Sequence, residues 1–325
     1  MPGHRPTVSV VTANYNGARY LAEAVRSVLG QTLASLELIV VDDRSTDDSL
    51  QVIEAAAEGD PRVRVFVQPQ NGGPGAARNR ALAEARGAWI AVFDSDDLMA
   101  PDRLERMVAR AEADGADMVV DNLTVFQDGS AEPGRPFLAG KAWGEPRWIG
   151  LADYIDSARM YSKRPGLGYL KPLFRAEALR TTRYREELRI GEDYDLVLRL
   201  LAQGRTLRLE PAALYRYRKH GSSISHVMRR DHLVQMLAAD ASLEGVMMGQ
   251  PKEVRRAFAA RRRSLHAALA YDHVIERLKA RDLVGGLAAS LASPDIWPLL
   301  TMPVAARLKR LAARLSSAQP AAAAA

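Results

Sequence analysis

Apolar runs of strand length alternate with amphipathic stretches from Thr7 to Leu123. Thr7 to Val11 predicts a strand, and Arg19 to Gln31, with Leu21, Val25, Val28 and Leu29 on one face, predicts a helix. Leu36 to Val41 predicts a second strand, and Ser45-Thr46-Asp47-Asp48 then offers N-cap groups for a helix from about Ser49 to Glu58. The series continues with a strand at Val63–Val67, a helix at Gly75–Arg86, a strand at Trp89–Phe93, a helix at Pro101–Asp114 and a strand at Met118–Leu123. Continuous Val/Ile/Leu strands separated by helices predict an α/β fold with a largely parallel, doubly wound sheet. Such sheets bind ligands beyond the carboxyl ends of their strands.

After Gln127 the pattern gives way to Gly, Pro and aromatic residues as far as Gly168, a composition that suits irregular loops. Structure is expected to resume at Tyr169–Phe174. Ile190-Gly-Glu-Asp-Tyr-Asp195 then leads a helix with Leu196, Leu198, Leu200 and Leu201 on its apolar face. Thr206–Leu209 and Ala213–Tyr217 read as two further strands. From about Val227 to Ser317 the pattern is helical and rich in Ala, Leu and Arg. Breaks are expected at Gly249-Gln-Pro251, Gly285-Gly286 and Ser293-Pro294, with fraying at the Ala-rich end.

Composition narrows the chemistry. The 325 residues are 47% hydrophobic, enough for a sizeable core, and contain no cysteine. Disulfides, thiol nucleophiles and Cys-ligated metals are excluded, so any metal must sit on Asp, Glu or His. The opening Met-Pro-Gly-His-Arg-Pro lacks the apolar core of a signal peptide, and no run approaches the roughly 18 apolar residues of a membrane span. Export and spanning are not expected. The net charge of +6 is uneven: His226 to Ser317 carries 15 Lys or Arg against 8 Asp or Glu, and the rest carries 30 against 31. The basic residues fall on expected helices and the first two-thirds shows no nucleic-acid module, so nucleic acid is not an expected partner.

The polar motifs gather at the strand ends. Asn14-Tyr-Asn16 follows the first strand, Asp42-Asp43 the second, Asn71-Gly-Gly-Pro-Gly75 the third, and Asp94-Ser-Asp-Asp97 the fourth. Close carboxylates repel, and hard oxygen donors at this spacing suit Mg2+ or Mn2+. The plainer reading of the Asp-rich turn alone is a cap for the helix after Pro101. Asp42 and Asp43 could likewise cap a helix, but Ser45 to Asp48 already offer more capping groups than that helix can use.

Together, Val10-Val-Thr-Ala-Asn-Tyr-Asn16, Val40-Val-Asp-Asp-Arg-Ser-Thr-Asp47, Asn71-Gly-Gly-Pro-Gly-Ala-Ala-Arg-Asn79, Phe93-Asp-Ser-Asp-Asp97, Gly191-Glu-Asp193 and Tyr217-Arg-Lys-His220 resemble the family 2 glycosyltransferases, inverting enzymes of the GT-A fold that use nucleotide sugars. The resemblance implies a GT-A domain over about 1–225, with a nucleotide-sugar half (6–125) and an acceptor half (126–225), and a basic helical region over 226–325. It further implies that Thr12, Asn14 and Tyr15 line the nucleotide pocket and that Asp43 accepts from the base N3–H of a UDP-sugar. Arg78 would contact the nucleotide side, Asp94 with Ser95 the ribose or donor sugar. Asp96 would ligate Mn2+ or Mg2+, helped by His220, with Arg218 and Lys219 as countercharges. Asp193 corresponds to the family's base, and Glu192 would orient the acceptor. For several of these a plain reading stays open: Tyr15 as a packed ring, Glu192-Asp193 as acids at a helix's positive end, His220 as a structural histidine.

Leu167-Gly-Tyr-Leu-Lys-Pro-Leu-Phe174, Gly-Glu-Asp and the Arg-rich tail also look like the succinoglycan-type exopolysaccharide glucosyltransferases. That likeness implies glucose as the sugar and a polyprenyl-diphosphate-linked oligosaccharide as acceptor, at the cytoplasmic face of the membrane. Pro303–Leu315 places Val304, Leu308, Leu311 and Leu315 on one helical face, with Arg307, Lys309, Arg310 and Arg314 around the other. It reads either as a helix lying on an anionic leaflet or as a solvated face. The competing class is a non-catalytic nucleotide-sugar-binding scaffold of the same fold. A dehydrogenase fits less well, since the one glycine-rich turn lacks Gly-x-Gly-x-x-Gly spacing.

Overall fold

The computed structural model describes residues 5–221 and 228–301. Its strands are β1 (Val8–Asn14), β2 (Leu36–Asp42), β3 (Val63–Val67), β4 (Trp89–Asp94), β5 (Leu98–Met99), β6 (Met118–Gln127), β7 (Arg135–Pro136), β8 (Arg147–Trp148), β9 (Leu173–Arg175) and β10 (Leu207–Lys219). The helices are α1 (Ala18–Leu29), α2 (Ser49–Ala57), α3 (Pro74–Glu84), α4 (Arg103–Asp114), α5 (Leu151–Ser157), α6 (Glu192–Ala202), α7 (Arg230–Ser242), α8 (Glu244–Met248), α9 (Lys252–Lys279), α10 (Leu283–Leu291) and α11 (Trp297–Leu300). One sheet runs β3-β2-β1-β4-β9-β6-β10-β5, with β7 on β6 and β8 on β10.

The expected parallel sheet is present at β3-β2-β1-β4 and again at β6-β10. Between them β9 runs antiparallel to both β4 and β6, so the sheet is mixed. Three residues were too short a run to announce that wedge. The register sets the site. Asn14 lies opposite Asp42, and Ala13 opposite Asp94, so the carboxyl ends of β1, β2 and β4 finish level. Val8, Val10, Val11, Ile39, Val41 and Val92 are fully buried, as expected of strands covered on both faces.

Two expected strands, Thr206–Leu209 and Ala213–Tyr217, form the single strand β10. Its register with β6 shifts between Glu210 and Ala213 and again before Tyr215. Pro211 has no N–H for the ladder, and the irregularity accommodates it. The expected break at Gly285-Gly286 falls inside α10 instead. The chain turns earlier, at Arg281 (φ 62°), and Asp282 caps the new helix by accepting from Gly285 N–H at 2.8 Å. The loop segment after Gln127 contains α5 and short strands as well as irregular chain. The basic stretch Pro303–Leu315 and the Ala-rich end lie outside the described residues.

The C-terminal helices share the core. Leu243, Met247, Val254 and Phe258 belong to the same buried cluster as the sheet residues. Val254, Phe258, Arg261, Leu265 and Ala268 recur every three or four positions on α9 and form its buried stripe. Arg261 is the charged member. It reaches Asp240 on α7 at 3.1 Å, donates to the Ala158 carbonyl at 2.8 Å and lies 4.1 Å from the centre of the Tyr194 ring on α6. The helix bearing Glu192 and Asp193 is thus braced from the C-terminal side.

Candidate active site

At the end of β1 the Asn14 amide donates to Asp42 Oδ1 at 2.9 Å, and Asp42 also accepts from the Ser45 backbone N–H (2.9 Å) and hydroxyl (2.5 Å). Asp42 is therefore spent on the turn. Asp43 is buried, and its two oxygens accept from Gly72 N–H (2.8 Å) and Gly73 N–H (2.7 Å), so it orders the glycine-rich turn before α3. A ligand N–H would have to use the lone pairs those amides leave. Thr12 Oγ1 and Asn14 Oδ1 are buried without a partner among the described residues, which marks polar valences for a ligand to fill. Tyr15 is half exposed beside them. Gly17 lets Ser95 close in on this corner: a Cβ there would run into Asn14 Oδ1 and stand 3.3 Å from Ser95 Oγ.

Arg78, buried on α3, gathers acids from two distant segments. One terminal nitrogen lies 2.6 Å from Glu192 Oε1 and 3.6 Å from Asp193 Oδ1; the other lies 2.8 Å from Asp94 Oδ1. Lys171, also buried, places Nζ 2.7 Å from Asp94 Oδ2 and 2.9 Å from Asp193 Oδ2. Burial alone would raise the Asp94 carboxyl, but Lys171 and Arg78 outweigh it and hold it at about 2. Burial likewise pushes Asp193 up, and Arg78 and Lys171 bring it below its ordinary value. Glu192 goes the other way: burial raises it and Arg78 compensates only in part. Among the described residues Asp193 Oδ1 accepts no hydrogen bond of ordinary length; an Arg78 nitrogen stands 3.6 Å away, and the Tyr184 hydroxyl lies near enough that, after burial, the Asp193 charge helps push it well up. Gly191 turns in the left-handed region (φ 84°) to start α6, and a Cβ there would meet Met236 at 2.9 Å.

On the other side of Asp94 the acids have no such cations among the described residues. Asp94, Asp96 and Asp97 offer carboxylate oxygens within 4.8 Å of one another. Asp97 is fully buried and accepts from the Tyr215 hydroxyl and the Arg218 backbone N–H, each at 2.7 Å. Its carboxyl is pushed well up by burial, then by the charges of Asp96 and Asp94. Asp96 is raised for the same reasons, opposed by His220, whose Nε2 lies 2.9 Å from Asp96 Oδ2. Hard oxygens with excess negative charge at Asp94, Asp96 and Asp97 fit a divalent cation such as Mn2+ or Mg2+, and Asp97 anchors the turn.

The Arg218 side chain turns back into the protein instead of standing ready as a countercharge. It pairs with Glu23 at 2.6 Å and Asp128 at 3.1 Å, donates to the Asp96 carbonyl at 2.8 Å, and lies 4.9 Å from the centre of the Tyr20 ring, on which His220 also packs at 4.5 Å. Arg78, expected on the nucleotide side, has both terminal nitrogens committed to carboxylates. Lys171 had no role in the sequence reading. Its one signal is a lone cation in the otherwise apolar run Tyr169-Leu-Lys-Pro-Leu-Phe174.

Residues 9–175 match the family model "Glycosyl transferase family 2". The chain is 41% identical over 318 residues to the succinoglycan biosynthesis protein ExoO of Rhizobium meliloti (strain 1021), covering 95% of this chain and 88% of that protein. It is 34% identical over 308 residues to ExoU of the same strain, covering 92% and 87%. Among solved structures it resembles S. aureus TarS 1-349 in complex with UDP-GlcNAc, with a TM-score of 0.62 at 19% identity over 89% of this chain and 92% of that one. It also resembles the mannosyltransferase PcManGT from Pyrobaculum calidifontis in complex with GDP-Man and Mn2+, with a TM-score of 0.58 at 19% identity over 96% and 81%. At those identities the likeness speaks to the fold, which is GT-A-like.

Proposed function

The chain belongs to glycosyl transferase family 2, and from that premise we propose that it is an inverting, metal-dependent transferase moving glucose from UDP-glucose to a hydroxyl of a lipid-linked oligosaccharide in exopolysaccharide synthesis. The observation that carries the reading is the meeting of Asp94 with Asp193 on one ammonium, Lys171, while Asp94 also stands in the Asp96–Asp97 cluster. Donor-side and acceptor-side acids are thereby one site.

In the transfer, the acceptor oxygen attacks the anomeric carbon, the bond from that carbon to the diphosphate oxygen breaks, UDP departs, and the hydroxyl proton goes to a carboxylate. Asp193 suits this role because Lys171 holds Oδ2 while Oδ1, 3.6 Å from Arg78, accepts no hydrogen bond of ordinary length among the described residues. Glu192, locked on Arg78, fixes the start of α6 and with it the direction of Asp193. Asp94 is positioned to take sugar hydroxyls, and Thr12, Asn14, Tyr15, Asp43 and Ser95 form the nucleotide corner. A divalent ion on Asp96 and His220 would neutralise diphosphate charge. The names of ExoO and ExoU, succinoglycan biosynthesis proteins, support the exopolysaccharide part of this reading, while glucose and the lipid-linked acceptor rest on the resemblance alone. A cytoplasmic site at the membrane face goes with that acceptor, and the basic tail would add to membrane contact.

The test is titration of UDP with and without Mn2+, together with turnover on UDP-glucose, for Asp193→Asn and Asp96→Ala. Asp193→Asn should abolish turnover and keep Mn2+-dependent UDP binding, whereas Asp96→Ala should lose that dependence. Undiminished turnover by Asp193→Asn would rule out the base.

A further inference from the structure

The outer face of α10 reverses the usual pattern of a surface helix. Leu283, Val284, Leu287 and Leu291 are 61–83% exposed, and the exposed positions between and after them are Ala288 and Ala292. The side turned inward carries Gly286, packed on Leu278. After a bend of 104° the chain continues through Pro294 to Leu300, with Ile296 fully buried and Trp297 52% exposed. From Leu283 to Thr301 the sequence has one charged residue, Asp295. Solvated helices put charge on that face. A contiguous apolar face of this kind marks an interaction surface.

The elbow is held in shape and is not a frayed end. Asp282 caps α10 and pairs with Arg277 at 2.6 Å, and the Trp297 indole N–H donates to the Ser290 carbonyl at 2.9 Å across the bend. We propose that the α10–α11 elbow is a docking surface for an anionic lipid bilayer, lying in the interface with Leu283, Val284, Leu287, Leu291 and Trp297 toward the acyl chains.

Charge and length decide the occupant. Residues 252–301 carry nine Lys or Arg against five Asp or Glu, and residues 302–325 carry four against none. A second copy, or the chain's own tail, would bring positive charge against positive charge; an anionic leaflet complements both. The nine residues of α10 extend about 14 Å, short of the roughly 30 Å of a hydrocarbon core. Among the described residues no single helix is long and apolar enough to cross a membrane; the two helices of the elbow reach that length and apolarity only together, and the 104° bend between them suits an element lying in the interface. An indole at the end of such a face suits the headgroup level. The inference does not depend on which sugar or acceptor the enzyme uses.

The test uses the full chain and vesicles of phosphatidylglycerol with phosphatidylcholine, with pure phosphatidylcholine as the uncharged arm. Wild type should sediment with the anionic vesicles. The variant Leu283→Ser/Leu287→Glu/Leu291→Ser, tail intact, should lose partitioning by roughly tenfold or more while keeping its thermal midpoint and its protection by UDP. Lipids brominated on the acyl chains should quench wild-type fluorescence, and Trp297→Phe should remove that quenching. Three results would overturn the proposal: no sedimentation of wild type, equal partitioning of wild type and triple variant, or a wild-type dimer that the triple variant dissolves without any effect of lipid. Each leaves the transferase reading standing, because UDP binding is measured separately.

Discussion

Asp94 has neighbours of two kinds, and the chain treats them oppositely. Toward α6, Asp94, Glu192 and Asp193 share two buried cations, Arg78 and Lys171, and nearly every charge has a partner within about hydrogen-bond reach. Toward β10, Asp96 and Asp97 stand close to Asp94 with an imidazole, a phenol and a backbone amide for company. Compensation lowers carboxyls on the first side, at Asp94 and Asp193, through nearby positive charge that overcomes burial; its lack raises both on the second, where burial and like charge act together. The first arrangement orients an ionised carboxylate without needing anything further. The second asks for a cation. On the function proposed here, the two tasks of directing a base and holding a charged donor would be separated by which acids the protein neutralises itself.

The most severe way to test that separation is Asp193→Asn. Loss of a general base costs about 10²–10⁴-fold in turnover, and the amide keeps the volume while Lys171 retains Asp94. Mn2+-dependent UDP binding should be unchanged by titration calorimetry. If it falls as far as it does in Asp96→Ala, the two sides are one electrostatic unit and the comparison fails. A gentler probe of the other side is His220→Ala. It removes one of the two proposed ligands, so Mn2+ affinity should fall and activity should be restored by raising Mn2+. Asp193→Asn should show no such rescue under the same titration.

Much of the second side was legible in the sequence, and little of the first. Asp94, Asp96 and Asp97 announce themselves because a buried strand opens directly into them, and strand-end placement in an α/β sheet gives such acids a ligand-binding position. The alternation of strands and helices was legible for the same reason: fully buried strands are continuous apolar runs. Lys171 was not, because its meaning lies in Asp94 and Asp193, which approach it only after β9 inserts antiparallel between β4 and β6. A three-residue strand has no periodicity to read. Arg218 misled for a related reason: beside His220 in sequence it looked like part of a charged cluster, yet its backbone N–H and guanidinium are spent on Asp97, Glu23 and Asp128. The Gly285-Gly286 pair looked like a break, but the local cap on Asp282 decided where the helix begins.

The smallest effect is expected from Lys171→Met, and it probes compensation directly. Removing the ammonium takes positive charge from beside Asp193, while burial, which opposes the charged form, remains. The Asp193 carboxyl must therefore rise. In wild type a base held below the ordinary carboxylate range keeps turnover flat as pH falls through mildly acidic values. In the variant the acid limb of the pH–rate profile moves upward, and turnover falls more at low than at high pH. Stability follows by linkage. A carboxyl depressed on folding contributes stability that is full above its unfolded value and is lost as pH falls through the folded one. Once burial carries it above the unfolded value the sign reverses, and the folded state gains as the group takes up its proton. The gap in urea midpoint between wild type and Lys171→Met should accordingly narrow on acidification. Lys171→Arg, which restores the charge, should return the acid limb toward its wild-type position. An acid limb that stays put in Lys171→Met would mean that Arg78 alone sets the ionisation of Asp193, leaving Lys171 as packing.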